Sequence, residues 1–164
     1  MVQLKEFIEN TLINEIRDIQ QTNNHHFLSF GLISQGIEFL GCCLDTKGYF
    51  DGNLSENRFR SAIKELFTQK YQQFNVKGGQ YDLYRDLRCG ILHVCLPKPN
   101  IELIQRSEIT NFGNHLEIKN IRGKDMLILV SEELFNDFKN ACNEIIKRID
   151  GGKISNKDLI VTEP

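Results

Sequence analysis

Phe27-Leu28-Ser29-Phe30-Gly31-Leu32-Ile33-Ser34-Gln35-Gly36-Ile37-Glu38-Phe39-Leu40-Gly41-Cys42-Cys43 is the stretch on which the fold turns. Its apolar residues go nearly all the way round a 3.6-residue period. That predicts a helix from about His26 to Cys43, the most buried helix of a bundle. Gly31, Gly36 and Gly41 recur at five-residue spacing and read as points of close packing against neighbouring helices. The run carries Gln35 and Glu38 and reads as a little short for a membrane span. A buried Glu38 needs a partner, and Arg88 is the expected one.

Helical patterns flank this centre. Leu4, Ile8, Leu12, Ile16 and Ile19 mark one face of a first helix, with Phe7 beside Ile8. After a polar break, His25 and His26 open the central helix at the surface. Downstream, Lys47-Gly48 and Asp51-Gly52-Asn53 read as turns, and Ser55 as the N-cap of a third helix faced by Phe59, Ala62, Ile63, Leu66 and Phe67. Lys77-Gly78-Gly79 breaks the chain again. A fourth helix is expected over about Gln80 to Val94, stopped by Pro97 and Pro99.

The character then changes. Ile101 to Ile104 reads as a strand. His115 to Ile118 and Met126 to Val130 flank Arg122-Gly123-Lys124 as a hairpin. Ser131-Glu132-Glu133 caps a last amphipathic helix, ended by Gly151-Gly152. The expected fold class is mainly α. It is a bundle of about five helices with a small antiparallel β-hairpin or meander inserted before the last one. One domain spans residues 1–150, with the β insertion at about 101–130. A polar tail, residues 151–164, follows.

The 164 residues suffice for one core, and a net charge of −2 excludes a whole-surface basic coat for duplex nucleic acid. Sequence-specific duplex DNA is therefore not an expected partner. The charge is uneven: residues 1–50 carry −3, residues 51–106 carry +3 and residues 107–164 carry −2. The middle is the only basic third. The five cysteines contain no Cys-x-x-Cys pair, and the N-terminus shows no signal-peptide core, which points to a reducing cytoplasm and no membrane partner.

Few residues are spaced for chemistry. The four histidines form no His-x-x-x-His pair, and neither Glu-x-x-His nor Asp-x-Asp occurs, so spacing supports no metal site. No phosphate-cradling Gly-Lys-Ser/Thr loop occurs either. Cys89 lies one helical turn before His93, where a thiol nucleophile would be crowded by its own helix. The best candidate is Arg88-Cys89-Gly90-Ile91-Leu92-His93, in the basic third. His titrates near neutrality, as proton transfer wants. Arg offers a planar fork for phosphate oxygens. Five residues of helix separate the two by about 140° and about 7.5 Å, so their side chains diverge and a site shared by two copies suits them better than one copy alone.

The string Tyr81-Asp82-Leu83-Tyr84-Arg85-Asp86-Leu87-Arg88-Cys89-Gly90-Ile91-Leu92-His93 resembles the HEPN superfamily of prokaryotic toxin and defence proteins, whose hallmark is Arg, four to six residues, then His. The greasy run from Phe30 to Leu40 and the stretch Glu133-Leu134-Phe135-Asn136-Asp137-Phe138-Lys139 look like the same branch. The resemblance implies a helical homodimer that cleaves RNA without metal or other cofactor. Its two Arg/His motifs would share one cleft, with a toxin or phage-defence role. In this chain His93 would transfer protons as the ribose 2′-OH attacks the phosphate, and Arg88 would hold that phosphate, leaving a 2′,3′-cyclic phosphate. Arg85, Lys98 and Tyr84 are candidate substrate contacts, and Glu38 and Cys89 supporting residues. An antitoxin or nucleotidyltransferase is the kind of partner implied.

The chain departs from the catalytic pattern at Cys89, where many active members carry Asn, Asp or His. A non-catalytic HEPN-like module that binds a partner protein, nucleotide or RNA is therefore the alternative. Structural uses compete at each position. Arg88 has Asp82, Asp86 or a neighbouring helix as ion-pair partners, and His93 can simply end its helix. Arg85 beside Asp82 and Asp86 reads as a salt-bridged face. Tyr81 and Tyr84 have faces suited to bases, with core or interface packing as the competing use.

Overall fold

The central helix, α2 (His26–Leu44), packs against three long helices of a bundle in the computed structural model, which describes residues 2–22, 26–156 and 158–159. His26 begins α2, half-buried, with its Nδ1 2.8 Å from Gln105 Nε2, while His25 lies outside the described residues. Helix α1 (residues 4–21) precedes α2, and α3 (Ser55–Leu66), α4 (residues 83–94), the short α5 (Ile109–Phe112) and α6 (Ser131–Asp150) follow. Residues 83–94 also touch α2. The bundle is mainly helical, with a three-stranded sheet inserted before the last helix.

The α2 glycines sit where neighbouring chain comes close. A Cβ on Gly41 would lie 2.0 Å from the Arg58 carbonyl oxygen of α3, and one on Gly36 would lie 2.4 Å from the Phe138 ring of α6. Burial is not complete all round, however. Leu28 and Leu32 remain 57% and 43% exposed. They open onto a groove of about 340 Å³ bounded on α4 by Ile91, Leu92 and Cys95. The helix is also longer than its sequence suggested: its 19 residues are apolar enough to cross a membrane, although over half of that length packs inside the bundle.

The inserted sheet departs from a hairpin or meander in one respect. Strands β2 (Ile101–Ile104), β3 (Ile118–Ile121) and β4 (Lys124–Val130) lie in the order β2-β4-β3, with β3–β4 antiparallel and β2–β4 parallel. Strand β3 also starts three residues later than the periodicity indicated. Its place is displaced because Leu116 takes a left-handed φ of 61° and His115 turns inward. One sheet face, with Leu127 and Leu129, joins the bundle core. The other buries Ile104, Ile128 and Val130 under Ile109 and Phe112.

Neither serine caps its helix as expected. Ser55 and Ser131 are the first helical residues, and no side chain caps either helix. The polar tail returns to the bundle: β5 (Asp158–Leu159) pairs with β1 (Val2–Gln3), next to the Lys5–Asp150 ion pair.

Candidate functional site

The Arg/His motif lies on α4, whose two ends are built differently. At its start Asp82 is the N-cap, accepting from the Arg85 amide, so the helix begins at Leu83 rather than Gln80. Asp86 is fully buried and accepts from the Asp82 amide at 2.9 Å, from Asn100 Nδ2 at 2.8 Å and from Arg85 Nη2 at 2.6 Å. Burial alone would raise the Asp86 pKa, but Arg85 and Asn100 outweigh it and hold the carboxyl below its ordinary range. Asp82 is treated alike by Arg60 and the Gly78 amide.

From Leu83 to Arg88 the helix is wound in wide turns, and the Cys89 amide reaches back five residues to the Tyr84 carbonyl. This brings Arg88 onto Tyr84, with the guanidinium 5.6 Å from the ring centroid. Arg60 lies at the same distance from that ring. Burial, with Cys89 next, pushes the Tyr84 phenol above its ordinary pKa. Arg88 Nη2 meets Glu38 Oε2 of α2 at 2.6 Å. The contact is a charge pair off the hydrogen-bonding line. Among the described residues Glu38 Oε2 has no donor aligned on it, and Arg88 Nε has no acceptor.

Beyond Arg88 the winding is α-helical, and the side chains diverge as helical geometry requires. Arg88 is only 12% exposed and faces α2. His93 stands exposed in the last turn, with no hydrogen bond or ion pair among the described residues. Cys95 ends the helix in left-handed conformation, φ 56°. A strap, residues 95–100, then runs back along α4, tied by the Lys98 amide to the Asp86 carbonyl at 2.8 Å. Gly90 makes this return possible: a Cβ there would lie 2.6 Å from the Leu96 carbonyl oxygen.

The sequence candidates therefore separate. Arg88, Tyr84, Glu38 and Cys89 come together. His93 and Lys98 are exposed nearby in sequence, and Arg85 is turned away into the Asp86 network and the Gly79 carbonyl. Among the described residues no three His, Cys, Asp or Glu side chains are grouped to hold a metal.

Sequence reasoning missed a second polar constellation, Tyr71–His115–Asp137. The Val130 amide donates to His115 Nδ1 at 3.0 Å, so the ring's proton sits on Nε2. Nε2 lies 2.8 Å from the Tyr71 hydroxyl, which donates onward to Asp137 at 2.8 Å. Burial, helped by Lys70, lowers the His115 pKa to about 4. Burial also pushes Asp137 up. Tyr71 is wholly buried, so this relay joins elements rather than meeting a substrate.

No family model, curated protein or solved structure matches the chain.

Proposed function

We propose that this chain is a HEPN-type, metal-independent endoribonuclease that works as a homodimer, in a cytoplasmic toxin or phage-defence role. The observation that carries this reading is the state of the Arg88–His93 pair. Among the described residues His93 is exposed without a partner, and the Arg88 guanidinium is held against Tyr84 with its Nε donor unused. Such groups are what phosphate binding and proton transfer use. The apolar edge beside them supports a second copy: Leu28, Leu32, Val94 and Leu96 are all more than two-fifths exposed.

In the reaction, the 2′-oxygen attacks phosphorus, the bond from phosphorus to the 5′-oxygen breaks, and a 2′,3′-cyclic phosphate remains. One His93 takes the 2′-OH proton, and the second copy's His93 protonates the departing 5′-oxygen. Arg88 stabilises the phosphate charge, for which it must exchange Glu38 for the substrate.

Cleavage of labelled RNA by the purified full chain in EDTA tests this. Wild type is expected to give cyclic-phosphate ends, and Arg88→Ala and His93→Ala each to lose about 10²-fold or more. Activity that survives both substitutions, or that requires added metal, sinks the reading. The Arg88–Glu38 pair favours a second reading, a non-catalytic module binding RNA, a nucleotide, an antitoxin or a nucleotidyltransferase. It expects binding with no cleavage at any protein concentration.

A further inference from the structure

The inserted sheet leaves one part of its outer face uncovered. Ile109 and Phe112 close over Ile104, Ile128 and Val130, and stop there. Toward the hairpin tip the face opens into a cleft of about 360 Å³. Met126, Ile121, Phe112 and Pro99 make its apolar lining, and Arg122, Lys124 and the carboxylate of Glu102 its polar part. The Arg122 and Lys124 side chains are exposed and make no hydrogen bond or ion pair among the described residues.

The tip is built to present that cation. Ile121 pairs with Lys124, so Arg122-Gly123 is a two-residue turn, with both residues at positive φ, 53° and 81°. Gly suits this conformation, whereas Arg is strained in it. The turn brings Arg122 to the cleft together with Lys124.

Two free cations over an apolar, partly aromatic lining suit a flat base flanked by phosphates. Glu102 opposes phosphates and acidic side chains alike, so the apolar lining decides: a base fills it, whereas acidic side chains leave it unfilled. Pro99 adds continuity. It is the residue after Lys98, in the strap that returns from His93, so a strand in the cleft leaves it beside an exposed third cation.

We infer that this cleft binds a single-stranded RNA segment flanking the cleaved bond, seating a base on Phe112 and Met126 and its phosphates on Arg122 and Lys124. This rests on the ribonuclease reading for the identity of the strand, but its test does not need turnover. A fluorescein-labelled single-stranded RNA is titrated in EDTA, at several salt concentrations, with the full chain carrying His93→Ala. Adding Arg122→Ala and Lys124→Ala should weaken binding about tenfold and reduce the log–log salt slope by about 1.4. The same charge removal at Lys147, exposed in the last turn of α6, and at Lys153, exposed just beyond it, should leave binding unchanged.

An equal loss from both double variants, or none from the first, overturns the inference. So does inorganic polyphosphate that competes as well as RNA at equal charge, because the lining would then play no part. If RNA binds through Arg122 and Lys124 while wild type cleaves nothing, the ribonuclease reading fails and the cleft stands. If wild type cleaves and the cleft variants change neither binding nor cleavage, the cleft alone fails.

Discussion

The two ends of α4 hold similar residue types and treat them in opposite ways. At the first end the Asp82 and Asp86 carboxylates are buried, and Arg60, Arg85, Asn100 and backbone amides satisfy them. At the second end, among the described residues, Arg88 Nε has no acceptor, Glu38 Oε2 has no aligned donor, and His93 has no partner. A buried charge with a full set of hydrogen bonds holds a helix in place and has nothing left to offer a ligand. Groups left incompletely satisfied lower stability, and they persist where another molecule completes them. The contrast separates Arg85 from Arg88, three residues apart and alike in the sequence.

Breaking the first end should give the largest effect. Asp86→Ala removes the carboxylate from the Asp82 amide, Arg85 and Asn100, leaving the last two only the Gly79 and Gln80 carbonyls, and should cost about 3 kcal/mol, toward the low end for a buried pair because Arg85 is 39% exposed. A urea unfolding curve measures it. A loss under 1 kcal/mol would mean that the network is ornamental and would erase the contrast.

The contrast extends to the histidines. The His115 pKa falls from an unfolded value near 6.5 to about 4 in the folded chain. The folded state therefore binds fewer protons across that window. Stability is full above pH 6.5 and declines as pH drops toward 4, by about 3 kcal/mol. The raised Asp137 has the opposite sign and offsets part of the loss at the acid end. Unfolding curves against pH should show this slope, and His115→Asn should flatten it.

Gly90→Ala tests the strap that joins the two ends. The added methyl meets the Leu96 carbonyl and should cost about 1–3 kcal/mol. Amide exchange should quicken at Lys98, whose bond to Asp86 the strap carries. The smallest effect sharpens the second end. Glu38→Gln removes the charge that competes for Arg88 and should tighten RNA binding severalfold, about 1 kcal/mol or less, while the largely buried Arg88 charge left without its partner lowers stability. Weaker binding would show that Glu38 positions Arg88 rather than competing with it.

Much of the frame was readable from local pattern. The 3.6-residue periodicity placed the long helices, and the Phe27 to Cys43 run marked the centre of the bundle. A buried carboxylate at Glu38 called for a cation, and Arg88 is at hand. What escaped depends on distant pairing. Tyr71, His115 and Asp137 are separated by 44 and 22 residues and belong to no motif. The wide turns at residues 83–88, which carry Arg88 onto Tyr84, have no residue signature. The parallel β2–β4 pairing was hidden because a four-residue apolar strand reads the same in either direction. Which donors are satisfied is also a matter of packing: nothing in Arg85 or Arg88 themselves tells that one is hydrogen-bonded to Asp86 while the other keeps an Nε without an acceptor among the described residues.

That parallel pairing sets an order of events during folding. The β3–β4 hairpin closes over a two-residue turn and can form alone, whereas Ile101 must find Leu127 across 26 residues. Strand β2 is therefore expected to dock late, and with it the strap that fixes α4. Refolding followed at the hairpin should run ahead of refolding followed at Asp86, so the motif's helix would be the last part of the molecule to acquire its final surroundings.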